Sequence, residues 1–110
     1  MAQPSWNKTL AEVLQQETVT KTFISKSTGK EYESETVEEL EVVSTGSVEE
    51  SKGQYNYFVV DTEHQLEYTI KAPNFVEVAF GDILVFRDVV GGALNNGRGW
   101  YKAEKVVDAK

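Results

Sequence analysis

The spacing of apolar and polar residues predicts a chain made mostly of β-strands. The clearest alternation lies in residues 65–71, where Leu66, Tyr68 and Ile70 are separated by polar residues. A period of two places these three side chains on one face of a strand. Residues 83–90 are apolar at nearly every position, which favours a central or barrel strand. The same reasoning predicts strands at 40–44, 54–61 and 99–107.

The first 36 residues follow a different pattern. Apolar side chains recur at helical spacing in residues 5–16, which predicts a short helix with one apolar face. That helix either plugs one end of a barrel through Trp6 and Leu10 or forms a partner-binding arm. Residues 18–25 and 31–36 flank a turn that contains Gly29, which is typical of a β-hairpin.

Together these elements predict a mainly β protein, a small five-stranded antiparallel barrel of the oligonucleotide/oligosaccharide-binding (OB) type. The helix and hairpin form an N-terminal extension over residues 1–36, and the barrel occupies residues 37–110 within the same structural unit. Residues 72–80 stand where such barrels usually carry a helix, so an SH3-like barrel or a β-sandwich remains an alternative.

Charge is distributed unevenly along the chain. The formal net charge is −7, with five Lys/Arg and 13 Asp/Glu in the first 70 residues but six and five in the last 40. This balance argues against a general polyanion binder. It leaves room for a local one, because charge effects decay over about 8–10 Å at physiological salt.

Little in the sequence indicates catalysis, and we expect no enzyme, no cofactor and no metal site. The chain has no cysteine, which excludes thiol chemistry, and its single histidine, His64, lies in a polar turn. No apolar run reaches the ~20 residues of a membrane span, and the first residues lack the pattern of a secretory signal. We therefore expect a cytoplasmic protein that does not contact membranes.

Candidate binding residues are easier to identify than catalytic ones. Single-stranded nucleic acid is held by lysine and arginine, which contact phosphates, and by aromatic rings, which stack on bases. The last strand places Trp100 and Lys102 outward beside Arg98, with Tyr101 and Ala103 facing the core. Whether the N-terminal helix covers Trp100 stays open. Arg87 is either an inward arginine paired with a carboxylate or the basic floor of a groove. The predicted nucleic-acid-binding residues are Tyr55, Tyr57, Lys71, Arg87, Arg98, Trp100 and Lys102.

Four short motifs carry a family resemblance: FGD at 80–82, RDV at 87–89, NGR at 96–98 and YKAEKV at 101–106. With them, residues 40–107 resemble the small accessory proteins encoded in the transfer and replication modules of Gram-positive conjugative elements. That family includes helicase-processivity factors. The resemblance implies handling of single-stranded DNA during replication or transfer, with a helicase as a partner, and it assigns no contact residue.

Two functions follow as expectations. The first is non-enzymatic binding of single-stranded DNA as an accessory to plasmid, phage or conjugative-element replication and transfer. The second is a protein-interaction or adaptor module without nucleic-acid binding, which suits the net charge and the strand edge of the polar hairpin. The sequence predicts no oligomeric state.

Overall fold

The structure, a computed structural model, describes residues 10–25, 27–94 and 99–109. These residues form one short helix and a seven-stranded sheet. The predicted fold class is confirmed: the protein is mainly β, with a small barrel and one short helix. The elements are α1 (Leu10–Leu14), β1 (Val19–Ile24), β2 (Glu31–Ser51), β3 (Gln54–Asp61), β4 (Leu66–Ala72), β5 (Ile83–Ala93), β6 (Gly99–Lys102) and β7 (Lys105–Asp108).

The barrel is closed by five strands in the order β2–β3–β4–β6–β5, with β5 returning to β2. Its pairings are antiparallel except that between β4 and β6, which is parallel and joins Lys71 to Lys102. The barrel is therefore mixed where an antiparallel one was expected. β6 and β7 keep one register against β5, so they are two parts of the single last strand predicted from the sequence.

β2 is the longest strand and passes from the hairpin into the barrel without a break. Its register shifts between Ser44 and Val48, where Gly46 has a φ of +89°. A side chain at Gly46 would lie 3.1 Å from the backbone nitrogen of Phe80. The bulge bends β2 so that its middle part pairs with β5 and its end with β3. The polar segments at 31–36 and 45–51, predicted to lie outside the strand at 40–44, belong to this one strand.

The core lies inside the barrel and follows the alternation of the strands. Leu66, Tyr68 and Ile70 of β4 are buried, as the sequence predicts, and Ala72 is buried as well, while Glu67 and Lys71 are exposed. Fully buried side chains elsewhere in the sheet include Leu40 of β2, Tyr57 and Val59 of β3, and Leu84 and Phe86 of β5.

The helix packs on the barrel through buried Leu10, Val13 and Leu14. The Glu35 carboxylate accepts hydrogen bonds from the backbone nitrogens of Leu10 (2.8 Å) and Ala11 (3.1 Å), which anchors the helix to β2. The plug interpretation is supported for Leu10, while Trp6 lies outside the described residues. The predicted hairpin is confirmed, since β1 pairs with β2 from Val19↔Thr36 to Ile24↔Glu31.

The segment between β4 and β5 takes the place of the usual helix, as the sequence predicts. The Asn74 side chain of this segment forms the two hydrogen bonds that the backbone of a neighbouring strand would form. Its Nδ2 donates to the Val106 carbonyl (2.7 Å), and its Oδ1 accepts from the Val106 nitrogen (3.0 Å). The Tyr57 hydroxyl donates to the Asn74 carbonyl and accepts from the Val76 nitrogen, both at 2.8 Å. These bonds join the segment to β7 and to the core.

Candidate nucleic-acid interface

Two of the predicted cations meet at the parallel contact between β4 and β6. Lys71 and Lys102 are direct register partners on the outer face of the barrel. Lys71 is exposed and Lys102 is half-buried. Among residues 10–25, 27–94 and 99–109, neither lysine has a carboxylate within ion-pair distance. Two adjacent ammonium groups that form no ion pair with a described carboxylate favour an anionic ligand.

Trp100 lies on the same outer face, two residues before Lys102. It pairs with Gly92 of β5, and a side chain at Gly92 would lie 2.7 Å from the indole nitrogen. The indole ring therefore rests directly on the Gly92 backbone and is 45% exposed. Leu10 of the helix instead approaches the neighbouring Gly91. In the described part of the chain, the helix leaves Trp100 accessible on one side.

A cleft of about 590 Å³ opens between the tip of the hairpin and the rim of the barrel. On the hairpin side, Phe23 and Tyr32 form a stacked pair with ring centroids 5.8 Å apart, and Tyr32 is 50% exposed. On the barrel side, Lys102 lines the cleft together with Pro73 and Glu104. The cleft therefore combines aromatic surface with a cation, the two features that single-stranded nucleic acid requires.

The two predicted tyrosines do not form an exposed stacking surface. Tyr57 is completely buried and packs edge-on against Phe86, so its assignment as a binding residue is wrong. Burial raises the pKa of the Tyr57 hydroxyl, which is held by Asn74 and Val76. Tyr55 is half-buried near the start of β3, where its ring packs against Phe75. A hydrogen bond with Glu50 raises the pKa of the Tyr55 hydroxyl.

Arg87 points outward and is paired with a carboxylate. Its Nη1 lies 2.9 Å from Oε1 of Glu39, its partner across β2 and β5. It lines a surface depression with Lys21 and the carboxylates of Glu38, Glu39 and Asp88. The surroundings are more acidic than basic, so the structure does not bring Arg87 together with the other predicted cations. Arg98 lies outside the described residues.

The β5–β6 connection differs from the prediction of a Gly91–Gly97 loop. Gly91 and Gly92 belong to β5, where they make room for Tyr101 and Trp100 respectively. Residues 95–98 lie outside the described part of the chain. The prediction is wrong for Gly91 and Gly92, because these glycines were taken as a break, whereas here each accommodates an aromatic side chain on a paired strand.

His64 has a structural partner. Its Nδ1 lies 2.8 Å from Oδ2 of buried Asp61, and its backbone nitrogen donates to Oδ1 of the same carboxylate at 3.3 Å. The described residues contain no group of three or more metal-ligating side chains. No helix in the described part is long and apolar enough to cross a membrane.

Phe23 and Tyr32 were not among the site residues predicted from the sequence. The available signal was their place near the tip of a hairpin, where aromatic residues have no core of their own to enter. Only the folding of the hairpin toward the barrel rim shows that they lie near Lys102.

Comparison with protein-family models, with curated proteins and with solved structures finds no match for the chain. The resemblance to accessory proteins of conjugative elements therefore stays a prediction.

Proposed function

We propose that the protein binds single-stranded DNA without catalysis, as an accessory factor in the replication or transfer of a plasmid, phage or conjugative element. The observation that carries the proposal is the adjacency of Lys71 and Lys102 beside Trp100, next to a cleft with Phe23 and Tyr32. Five-stranded barrels of the OB type bind oligonucleotides or oligosaccharides on one face.

In this proposal different residues contact the phosphates and the bases of the DNA. The ammonium groups of Lys71 and Lys102 neutralise phosphates, and the release of counterions makes binding dependent on salt. The exposed side of the Trp100 indole stacks on one base. Because its other side rests on Gly92, the ring is already held in place before DNA arrives. Tyr32 offers a second stacking surface across the cleft.

The partner in this proposal is a helicase or another replication or transfer protein acting in the cytoplasm. Its support is the family resemblance of residues 40–107. A small protein that holds the strand through a few contacts binds weakly alone, and a second contact with the enzyme that opens the duplex would raise its effective concentration on the strand.

The first test compares two charge-matched double variants. Lys71→Ala/Lys102→Ala is expected to weaken binding to a labelled single strand of about 20 nucleotides roughly tenfold, and to reduce the salt slope by about 1.4, because two phosphate contacts are lost. Arg87→Ala/Lys105→Ala removes the same charge at two exposed positions that pair across β5 and β7. It should leave affinity within about twofold. Fluorescence anisotropy measures both quantities.

Equal losses in the two double variants would mean that total charge alone governs binding, and the assigned interface would then be rejected. No binding by the unaltered protein at about 50 mM salt would reject DNA binding altogether.

The position of β1 favours a second function, a protein-interaction module. β1 is at the edge of the sheet, with Val19 42% and Ile24 67% exposed. Such an edge offers backbone groups to a partner strand. Recovery of one discrete partner from nuclease-treated lysate, together with absence of DNA binding by the pure protein, would favour this function over the first.

A further inference from the structure

An apolar row crosses the outer face of three neighbouring strands. Val60 of β3 is the register partner of Val43 of β2, and Val43 is the partner of Ile83 of β5. Ile83 is 45% exposed, and the two valines are half-buried. The core does not use these side chains, because their neighbours Val42 and Leu84 fill the barrel interior instead.

The row is widened on both sides by further apolar residues on the outer face. Val85 lies two residues beyond Ile83 and pairs with Val107 of β7, and both are half-buried. Phe58 lies two residues before Val60 and forms part of a depression of about 430 Å³. The outer face of a barrel in a monomer is ordinarily polar, so a contiguous apolar area here indicates a contact surface.

The edges of this apolar row are acidic. Glu67 continues the row as the partner of Val60, and Glu41 is the partner of Val85. Glu49 and Glu67 both line the depression beside Phe58. Three carboxylates thus border the row, and the described residues that line the depression include no lysine or arginine.

Cations lie farther out on the same face. Arg87 follows Val85 by two residues on β5, and its register partner Lys105 precedes Val107 by two residues on β7. Arg87 is already paired with Glu39. Lys71 lies two residues beyond Thr69, on the side of the proposed DNA interface. The area next to the row therefore keeps an uncompensated negative charge.

We propose that this apolar row, bordered by Glu41, Glu49 and Glu67, docks a short segment of a partner protein in which lysine or arginine residues flank apolar side chains. Apolar contacts with Val43, Val60 and Ile83 supply affinity, and the carboxylates supply orientation and selection by charge. The inference goes beyond DNA binding and does not depend on it.

Charge favours a basic peptide segment at this surface over DNA or a second copy of the chain. Phosphates would meet three carboxylates, so DNA is disfavoured at this surface. A two-fold contact between copies of the chain would bring the same acidic border against itself. Strands lie about 4.8 Å apart, so the row from Glu67 to Ile83 spans about 14 Å, the length of about four extended residues. This span suits a segment within a longer partner chain.

The test uses two synthetic peptides of about ten residues, each alternating leucine with a charged residue, with lysine in one and glutamate in the other. The lysine peptide should bind in the absence of DNA and perturb the amide resonances of Val43, Val60 and Ile83. The glutamate peptide should bind at least about tenfold more weakly, because the acidic border repels it. Two-dimensional NMR titration gives both the site and the affinity.

Matched double variants separate the contributions of the apolar side chains and of the carboxylates to peptide binding. Val60→Thr/Ile83→Thr should weaken binding of the lysine peptide about tenfold, whereas Val19→Thr/Ile24→Thr, the same pair of changes on the hairpin, should leave it unchanged. Glu41→Gln/Glu67→Gln should weaken binding about fivefold, and Glu31→Gln/Glu33→Gln should not.

Three results would overturn the proposal: no binding of the lysine peptide at millimolar concentration, equal binding of the two peptides, or perturbations confined to the hairpin cleft. Self-association of the pure protein that Val60→Thr/Ile83→Thr abolishes would assign the surface to a second copy instead. Perturbation of the Val43 and Ile83 amide resonances by a DNA strand in the absence of peptide would assign it to nucleic acid.

Discussion

At the scale of single residues, Asn74 has the clearest structural role. Its amide forms both hydrogen bonds that a neighbouring strand would otherwise offer to Val106, whose side chain is fully buried. The β4–β5 segment contains no helix that could cover this edge of β7, so the Asn74 side chain satisfies the backbone groups there.

Asn74→Ala should lower the free energy of unfolding by about 2–4 kcal/mol, because it leaves the nitrogen and the carbonyl of Val106 without their partners. Urea denaturation measures this loss. Asn56→Ala, a change at a half-buried position on the outer face of β3, should cost less than about 1 kcal/mol. Similar losses in the two variants would show that the Asn74 bridge contributes nothing specific.

Residue-level prediction from the sequence succeeded where strand alternation decided the outcome. Tyr101 and Ala103 face the core, and Trp100 and Lys102 face outward, as their spacing predicts. Tyr57 was misassigned because both faces of β3 carry aromatic and apolar side chains, so the sequence does not show which face enters the core. The partners of Tyr57, the backbone groups of Asn74 and Val76, come from a segment whose position no local pattern reveals.

At the scale of elements, the hairpin of β1 and the first part of β2 connects fold and proposed function. Lys21 ties it to the barrel, since its ammonium lies 2.6 Å from Asp88 and 3.3 Å from Glu38. The tip beyond Lys21 carries Phe23 and Tyr32 toward the cleft. The hairpin therefore forms one wall of the proposed DNA site.

Phe23→Ala/Tyr32→Ala should weaken binding of single-stranded DNA about tenfold or more, since stacking contributes about 1–3 kcal/mol per base. Thr20→Ala/Thr22→Ala changes the other face of β1 and should leave affinity nearly unchanged. Anisotropy titration compares the two variants. If affinity falls equally in both, the hairpin affects binding through its fold, and its aromatic wall is not a contact.

Element boundaries were harder to predict than element types. The sequence predicts β3 with its observed bounds, because a run of aromatic and apolar residues is flanked there by turn residues on both sides. β2 was divided into pieces, since its polar ends lack an apolar face. Backbone pairing with β1 and β3 stabilises those ends, and pairing partners are a tertiary property.

At the scale of the whole molecule, the outer face of the barrel separates two kinds of surface. Lys71, Lys102 and Trp100 lie at one side, and the apolar row with its acidic border lies at the other. A net charge of −7 is compatible with a local DNA site because the cations are grouped and the fields are screened. The barrel class was predictable from strand number and length. The grouping was not, because it depends on the parallel contact between β4 and β6.

DNA binding at Trp100 is tested most directly by a fluorescence titration of a Trp6→Phe variant, in which Trp100 is the single remaining tryptophan. Single-stranded DNA of about 20 nucleotides is added at about 50 and 200 mM salt. We expect saturable quenching of Trp100, with affinity about tenfold lower at the higher salt, because a base stacks on the indole while lysines contact phosphates. Unchanged fluorescence at both salt concentrations, or quenching that does not respond to salt, would contradict this expectation.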